Sequence, residues 1–156
     1  AAIATSLAGL PLSGRWWPLM SHLVSHHLCA SAMVQMCARL APNQDVAFVL
    51  SAGYIILNML FANVLVKVST VLPPLAGLRW VCSMYYAMSG IVSVEFAGFE
   101  ERGLPAGDSV VAGYDIVLGN GQVLTEAGCL GVVWCFYVVF SVVGYLGLRF
   151  LSVSQI

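Results

Sequence analysis

From Val46 to Val66 the chain reads VAFVLSAGYIILNMLFANVLV, 21 residues without a charge. Coiled as a helix at roughly 1.5 Å per residue, this run is about 32 Å long, enough to cross a hydrocarbon core. After Lys67 comes a stretch to Phe96 that is nearly as apolar but is interrupted by Pro73, Pro74 and Arg79. Backbone groups in lipid must be satisfied internally, so the second stretch fits a broken element covered by other helices. A spanning helix joined directly to a broken one points to a polytopic transport protein rather than a simple anchor.

The composition supports a membrane setting. Hydrophobic residues make up 60% of the 156 and charged residues 8%, against roughly 25% charged in soluble domains. So few charges cannot cover the surface of a soluble domain, which reads as an integral membrane protein. A net charge of -1 and the single Lys67 leave no basic patch for nucleic acid. Cys29, Cys37, Cys82, Cys129 and Cys135 lack C-x-x-C spacing, arguing against a zinc site or a disulfide framework. There is no G-x-x-x-x-G-K-[ST] phosphate loop, so no ATP site or other catalytic centre is expected in this chain. The opening AAIATSLAGL resembles the tail of an apolar segment, as in an excerpt of something longer.

Hydropathy and turn residues predict an all-α membrane protein. Three full transmembrane helices are expected at about 19–40, 46–66 and 130–151, after a partial one at the N-terminus. Arg15-Trp16-Trp17 reads as interfacial, and Pro42, Asn43 and Asp45 as a tight turn making the first two spans antiparallel neighbours. Residues 71–94 read as a re-entrant element, a short interfacial helix and a second one that dips into the membrane and returns: Leu75, Leu78, Val81, Cys82 and Tyr85 recur at helical spacing, and Gly90 is placed for a break before Glu95. Residues 97–128 hold five of the seven acidic residues and read as one external loop. The first span is polar for a membrane helix, with His22, His26, His27, Gln35 and Arg39, and suits a position against other helices. Its Ser21, Ser25 and Cys29 form a small-residue stripe where a helix can approach closely.

Several side chains are candidates for chemistry. Ala52, Ile55, Ile56 and Met59 share one helical face, an apolar wall suited to a flat hydrophobic ligand or to ordinary packing. Asn58 and Asn63 lie in hydrocarbon and call for partners on neighbouring helices. His22 and His26 have the i, i+4 spacing of a metal pair with Cys29 one turn on, although partners on an adjacent helix explain them more simply and no metal site is assigned. Arg79 and Glu95 flank the re-entrant element and suit a structural role, pairing or bonding backbone ends there.

The order of short motifs resembles the transmembrane domain of ABC transporters of the G (White) subfamily, in the ABC-2 exporter class. The pieces are Ala8-Gly9-Leu10 to Arg15-Trp16-Trp17, Leu40-Ala41-Pro42 with Val46-Ala47, and Phe61-Ala62-Asn63-Val64-Leu65-Val66. They continue with Trp80, Tyr86-Ala87-Met88, Glu95-Phe96, Tyr114-Asp115-Ile116-Val117-Leu118 and Tyr145-Leu146-Gly147-Leu148-Arg149. Departures are Ser83-Met84-Tyr85-Tyr86, which lacks the usual proline and arginine, Val94 in place of an asparagine, and an external loop without a cysteine pair. The resemblance implies the C-terminal part of a half-transporter, from the end of the third helix through the sixth, spread over residues 1–156. It implies a substrate cavity along Ala52, Ile55, Ile56 and Met59 and an apolar gate at Val64-Leu65. It further implies membrane lipid, a second half-transporter and a nucleotide-binding domain as partners, with ATP and Mg bound on that domain elsewhere, and residence in the plasma membrane or an organelle membrane. Lipid-like or other hydrophobic molecules would be the cargo. The alternative is a small non-transporting membrane subunit that scaffolds a larger complex.

Overall fold

The computed structural model describes residues 16–62, 77–96, 107–114, 116 and 123–153. Its elements in chain order are α1 (Trp16–Leu40), α2 (Gln44–Phe61), a 3-10 turn (Gly77–Val81), α3 (Ser83–Phe96), α4 (Gly107–Tyr114) and α5 (Glu126–Val153). Among the described residues, α2 and α5 are the helices long and apolar enough to cross a membrane, and most of their surface is exposed rather than packed in a core.

Local chemistry sets the helix ends. α1 begins at Trp16, three residues earlier than hydropathy suggests, because Pro18 falls in the first turn, where its missing N–H is no loss. The Asn43 side chain accepts a hydrogen bond from the Val46 N–H at 2.9 Å and caps α2, whose first turn also holds Asp45. Thr125 does the same for α5, accepting from the Gly128 N–H at 3.2 Å with Glu126 in the first turn. That cap starts the last helix four residues before the expected position.

α1 lies alongside α5 and runs in the same direction. Near one end Cys29 shares a core with Cys129 and Val133, and near the other Met36 and Arg39 meet Gly144 while Leu40 meets Gly147. A Cβ on Gly144 would stand 3.3 Å from the Met36 Cα, so the glycine lets the two backbones come close. α2 returns antiparallel to α1 through the short turn at residues 41–43.

α3 is the hub. Cys82 just before it and Tyr85, Tyr86 and Ala87 from its start pack with Cys29 of α1, Phe61 of α2, and Cys129 and Val133 of α5, and Ile116 closes the cluster. Farther along α3, the Ser89 hydroxyl donates to the Tyr114 carbonyl at 2.8 Å, which ties α4 onto the hub.

Two expectations need correction, and a third is narrowed. The short helix and the second helix expected in this region divide the repeat from Leu78 to Tyr85 between them. It is split at Cys82 between the 3-10 turn and α3, with Leu78 and Val81 exposed and Cys82 and Tyr85 buried. The i+3 bonds Cys82 N–H to Arg79 C=O (3.1 Å) and Tyr85 N–H to Cys82 C=O (3.2 Å) carry the chain through this change of winding. Gly90 is not a break, since α3 continues through it to Phe96. Its missing Cβ instead makes room for the His22 imidazole of α1, which a Cβ would overlap. Finally, residues 97–128 are not loop throughout, because they contain α4 and the first residues of α5, and Leu124 N–H bonds the Ile116 carbonyl at 2.8 Å.

Gly90→Ala is expected to destabilise the fold by about 1–3 kcal/mol through overpacking against His22. Thermal unfolding of Gly90→Ala, His22→Ala and the double variant checks this: the double variant should recover part of the loss, as contacting residues are coupled.

Candidate functional site

α2 has two faces of different character. Ser51, Asn58 and Phe61 are buried at helical spacing against the rest of the bundle. On the other side Ala52 is half-buried, and Ile55, Ile56 and Met59 are 46%, 57% and 48% exposed, with Phe48 and Val49 continuing the same apolar surface. The four residues singled out for a substrate wall therefore stand together, on the face that no other described element covers. Val64, Leu65 and Asn63 lie outside the described residues.

The buried face of α2 is fastened to the start of α3 by polar groups. Asn58 donates from Nδ2 to the Tyr54 carbonyl at 2.9 Å. Its Oδ1 accepts from the Met84 backbone N–H at 3.0 Å and from the Ser83 hydroxyl at 3.5 Å. The first N–H groups of a helix have no partner within it, so a side chain from α2 supplies one. The Tyr54 hydroxyl donates to the Val81 carbonyl at 3.3 Å, and the Cys82 thiol lies between the Leu78 carbonyl at 3.3 Å and the Leu57 carbonyl of α2 at 3.8 Å. Leu57 carries no signal in the sequence, Tyr54 only its four-residue step to Asn58, and Ser83 only its place in the Ser83-Met84-Tyr85-Tyr86 departure.

Aromatic rings reinforce this junction. Centroid separations run Trp80–Tyr85 6.4 Å, Tyr85–Tyr86 5.6 Å, Tyr86–Phe136 6.0 Å, Phe136–Phe140 5.9 Å and Phe140–Tyr54 5.8 Å. The chain of rings leads from the 3-10 turn through α3 and α5 back to α2, and the Tyr54 hydroxyl closes it on Val81. Edge-on and offset contacts at these distances are attractive beyond the area they bury. The i, i+4 pair Phe136 and Phe140 is the sequence signal for it.

The other candidates fall elsewhere. Arg79 holds its guanidinium over the Trp80 ring, 4.8 Å from the centroid. Glu95 is buried near the far end of α3, about 18 Å of helix beyond Ser83, so Arg79 and Glu95 serve opposite ends of α3 rather than each other. His22 is fully buried with its ring at Gly90, which leaves no ligand room beside it. Among the described residues no three His, Cys, Asp or Glu side chains gather as a metal site. Cys129 is buried in the core and Cys135 is exposed, and both are free thiols.

Residues 1–96, which include α1, α2, the 3-10 turn and α3, match a family model described as ABC-2 type transporter. This chain belongs to the ABC-2 type transporter family. As an ABC-2 membrane domain it is the membrane part of an ABC-type transporter and works with a nucleotide-binding ABC component. No curated protein and no solved structure matches the chain. In the ABC-2 domain the match ends at Phe96, the last residue of α3, so it takes in both partners of the Asn58 junction.

Asn58→Leu is expected to lower stability by about 1–3 kcal/mol, the cost of a buried donor left unpaired at Met84. Ile56→Leu on the open face should stay within about 0.5 kcal/mol. Unfolding curves of the two variants measured side by side check the contrast.

Proposed function

We propose that this ABC-2 domain is the C-terminal part of a G-type half-transporter that exports lipid-like or other hydrophobic molecules. The observation that carries this reading is the two-faced α2. Its apolar face with Ala52, Ile55, Ile56 and Met59 is open, while its opposite face is locked to α3 through Asn58 and Tyr54. A wall of branched and thioether side chains on a firmly held helix suits a flat hydrophobic molecule, because methionine adapts to its outline. A second half-transporter, identical or different, would supply the facing wall. Val64-Leu65, next to the wall in sequence, would close the path by excluding water. ATP and Mg would act on a nucleotide-binding domain elsewhere, and the chain itself would catalyse nothing.

The reading includes α1 as a third span beside α2 and α5. α1 is 25 residues long, about 37 Å as a helix, and it follows α5 from Cys29–Cys129 to Leu40–Gly147. A helix held along an apolar spanning partner shares its depth. The buried, polar-capped start of α3 supports the re-entrant role of that element, since irregular backbone is tolerated at depth where protein covers it. The plasma membrane or an organelle membrane would house the assembly.

Two measurements test this. In the reconstituted whole transporter, Ile56→Ala with Met59→Ala should weaken half-maximal stimulation of ATPase activity by an apolar substrate about tenfold, each truncation removing apolar contact. A transporter that no lipid or sterol stimulates would instead favour the scaffold reading. Trp17→Cys at the start of α1 and Pro42→Cys in the turn after its end should react with an impermeant maleimide from opposite sides of sealed vesicles. Labelling from one side would remove α1 from the spans.

A further inference from the structure

The face of α1 turned away from the bundle carries a polar ladder. His27, Ser31, Gln35 and Arg39 follow one another at four-residue steps, about 18 Å along the helix. His27, Ser31 and Gln35 are exposed and Arg39 is half-buried. Gln35 Nε2 donates to the Ser31 hydroxyl at 3.4 Å, and an Arg39 guanidinium N–H donates to Gln35 Oε1 at 3.3 Å. Beside the ladder stand exposed Val24, Leu28 and Val34. No other described element covers His27, Ser31 and Gln35, while Arg39 at the end of the ladder lies along α5 at Gly144.

In a spanning α1 such side chains are not left facing hydrocarbon without a partner. The ladder offers mainly donors. Arg39 uses one of its five N–H groups on Gln35, His27 adds a ring N–H, and α1 contains no Asp or Glu. Its complement is therefore an anion with several acceptor oxygens, and a phosphate matches the forked guanidinium. A neighbouring helix fits less well. The small residues Ser25, Cys29 and Ala32 that permit close helix approach are already buried on the opposite side of α1. The outward side presents the long His27, Gln35 and Arg39 side chains.

We propose that this ladder binds the phosphate headgroup of an anionic phospholipid from the surrounding bilayer, with the acyl chains lying on Val24, Leu28 and Val34. The site is separate from the α2 wall and needs no transport. It rests on α1 spanning the membrane, which the maleimide labelling above tests by itself. Arg39, held against the Gly144 side of α5, anchors the phosphate, and Gln35 and Ser31 extend the donor track deeper along the helix.

The full-length transporter reconstituted in phosphatidylcholine, with spin-labelled phosphatidylglycerol or spin-labelled phosphatidylcholine as probe, tests the proposal. The motionally restricted fraction in the electron paramagnetic resonance spectrum reads lipid association. Phosphatidylglycerol should be preferred about fivefold, the worth of one cation near a membrane surface. Gln35→Leu with Arg39→Gln should bring that preference close to one, and Arg39→Gln alone serves if the double variant does not fold. Arg39→Lys should keep part of it, since the charge remains and the fork is lost. Equal association of both lipids with the unaltered protein overturns the proposal, as does a preference that survives Arg39→Gln. A change in oligomeric state with unchanged lipid preference also overturns it and assigns the face to a partner helix.

Discussion

A helix that begins inside an apolar bundle brings backbone N–H groups with no partner of their own, and here Asn58 of α2 answers one of them at Met84. The rest of the arrangement depends on this bond. It places the start of α3 against the back of α2, where Tyr54 reaches Val81 and Cys82 reaches Leu57. The hub so formed is what α1 and α5 pack around. Without it the start of α3 would leave the Met84 N–H unpaired against α2, where an orphaned donor is costly.

This junction also explains why α2 can present one open face. Its inner face is held by directional bonds and by the chain of rings running through Phe136 and Phe140, so its outer face is not needed for packing. Movement of the wall would have to travel with α3, and through Ser89 and Tyr114 with α4. α1 differs: its inner face is built on close approach at Gly90 and Gly144, and its outer face sets a polar ladder among apolar Val24, Leu28 and Val34. The two helices therefore turn chemically different surfaces outward, one apolar and one rich in hydrogen-bond donors.

Much of this was legible in the residues. The uncharged run from Val46 announced α2, and the grouping of Ala52, Ile55, Ile56 and Met59 followed from helical spacing, which is a local property. The Thr125 cap was legible too, but it yields to hydropathy when a helix is sought by apolar content alone. A short helix followed by a second was legible here, but not the join at Cys82, because the spacing of Leu78, Val81, Cys82 and Tyr85 suits a continuous helix, whereas burial divides them into exposed and buried pairs. α4 escaped notice because the polar composition of residues 97–128 reads as loop.

By itself the sequence determined the helical class, the membrane character and most helix positions, since hydropathy and capping act within a few residues of chain. Its motifs also pointed to the ABC-2 family. Only the tertiary structure decided what the exceptional residues do. Gly90 looks like a place to break a helix, yet it serves as a seat for His22, because the group that fills the missing Cβ position comes from another helix. Asn58 looks like any polar residue in a span until Met84 is brought beside it. Such roles belong to pairs distant along the chain, and only packing creates the pairs.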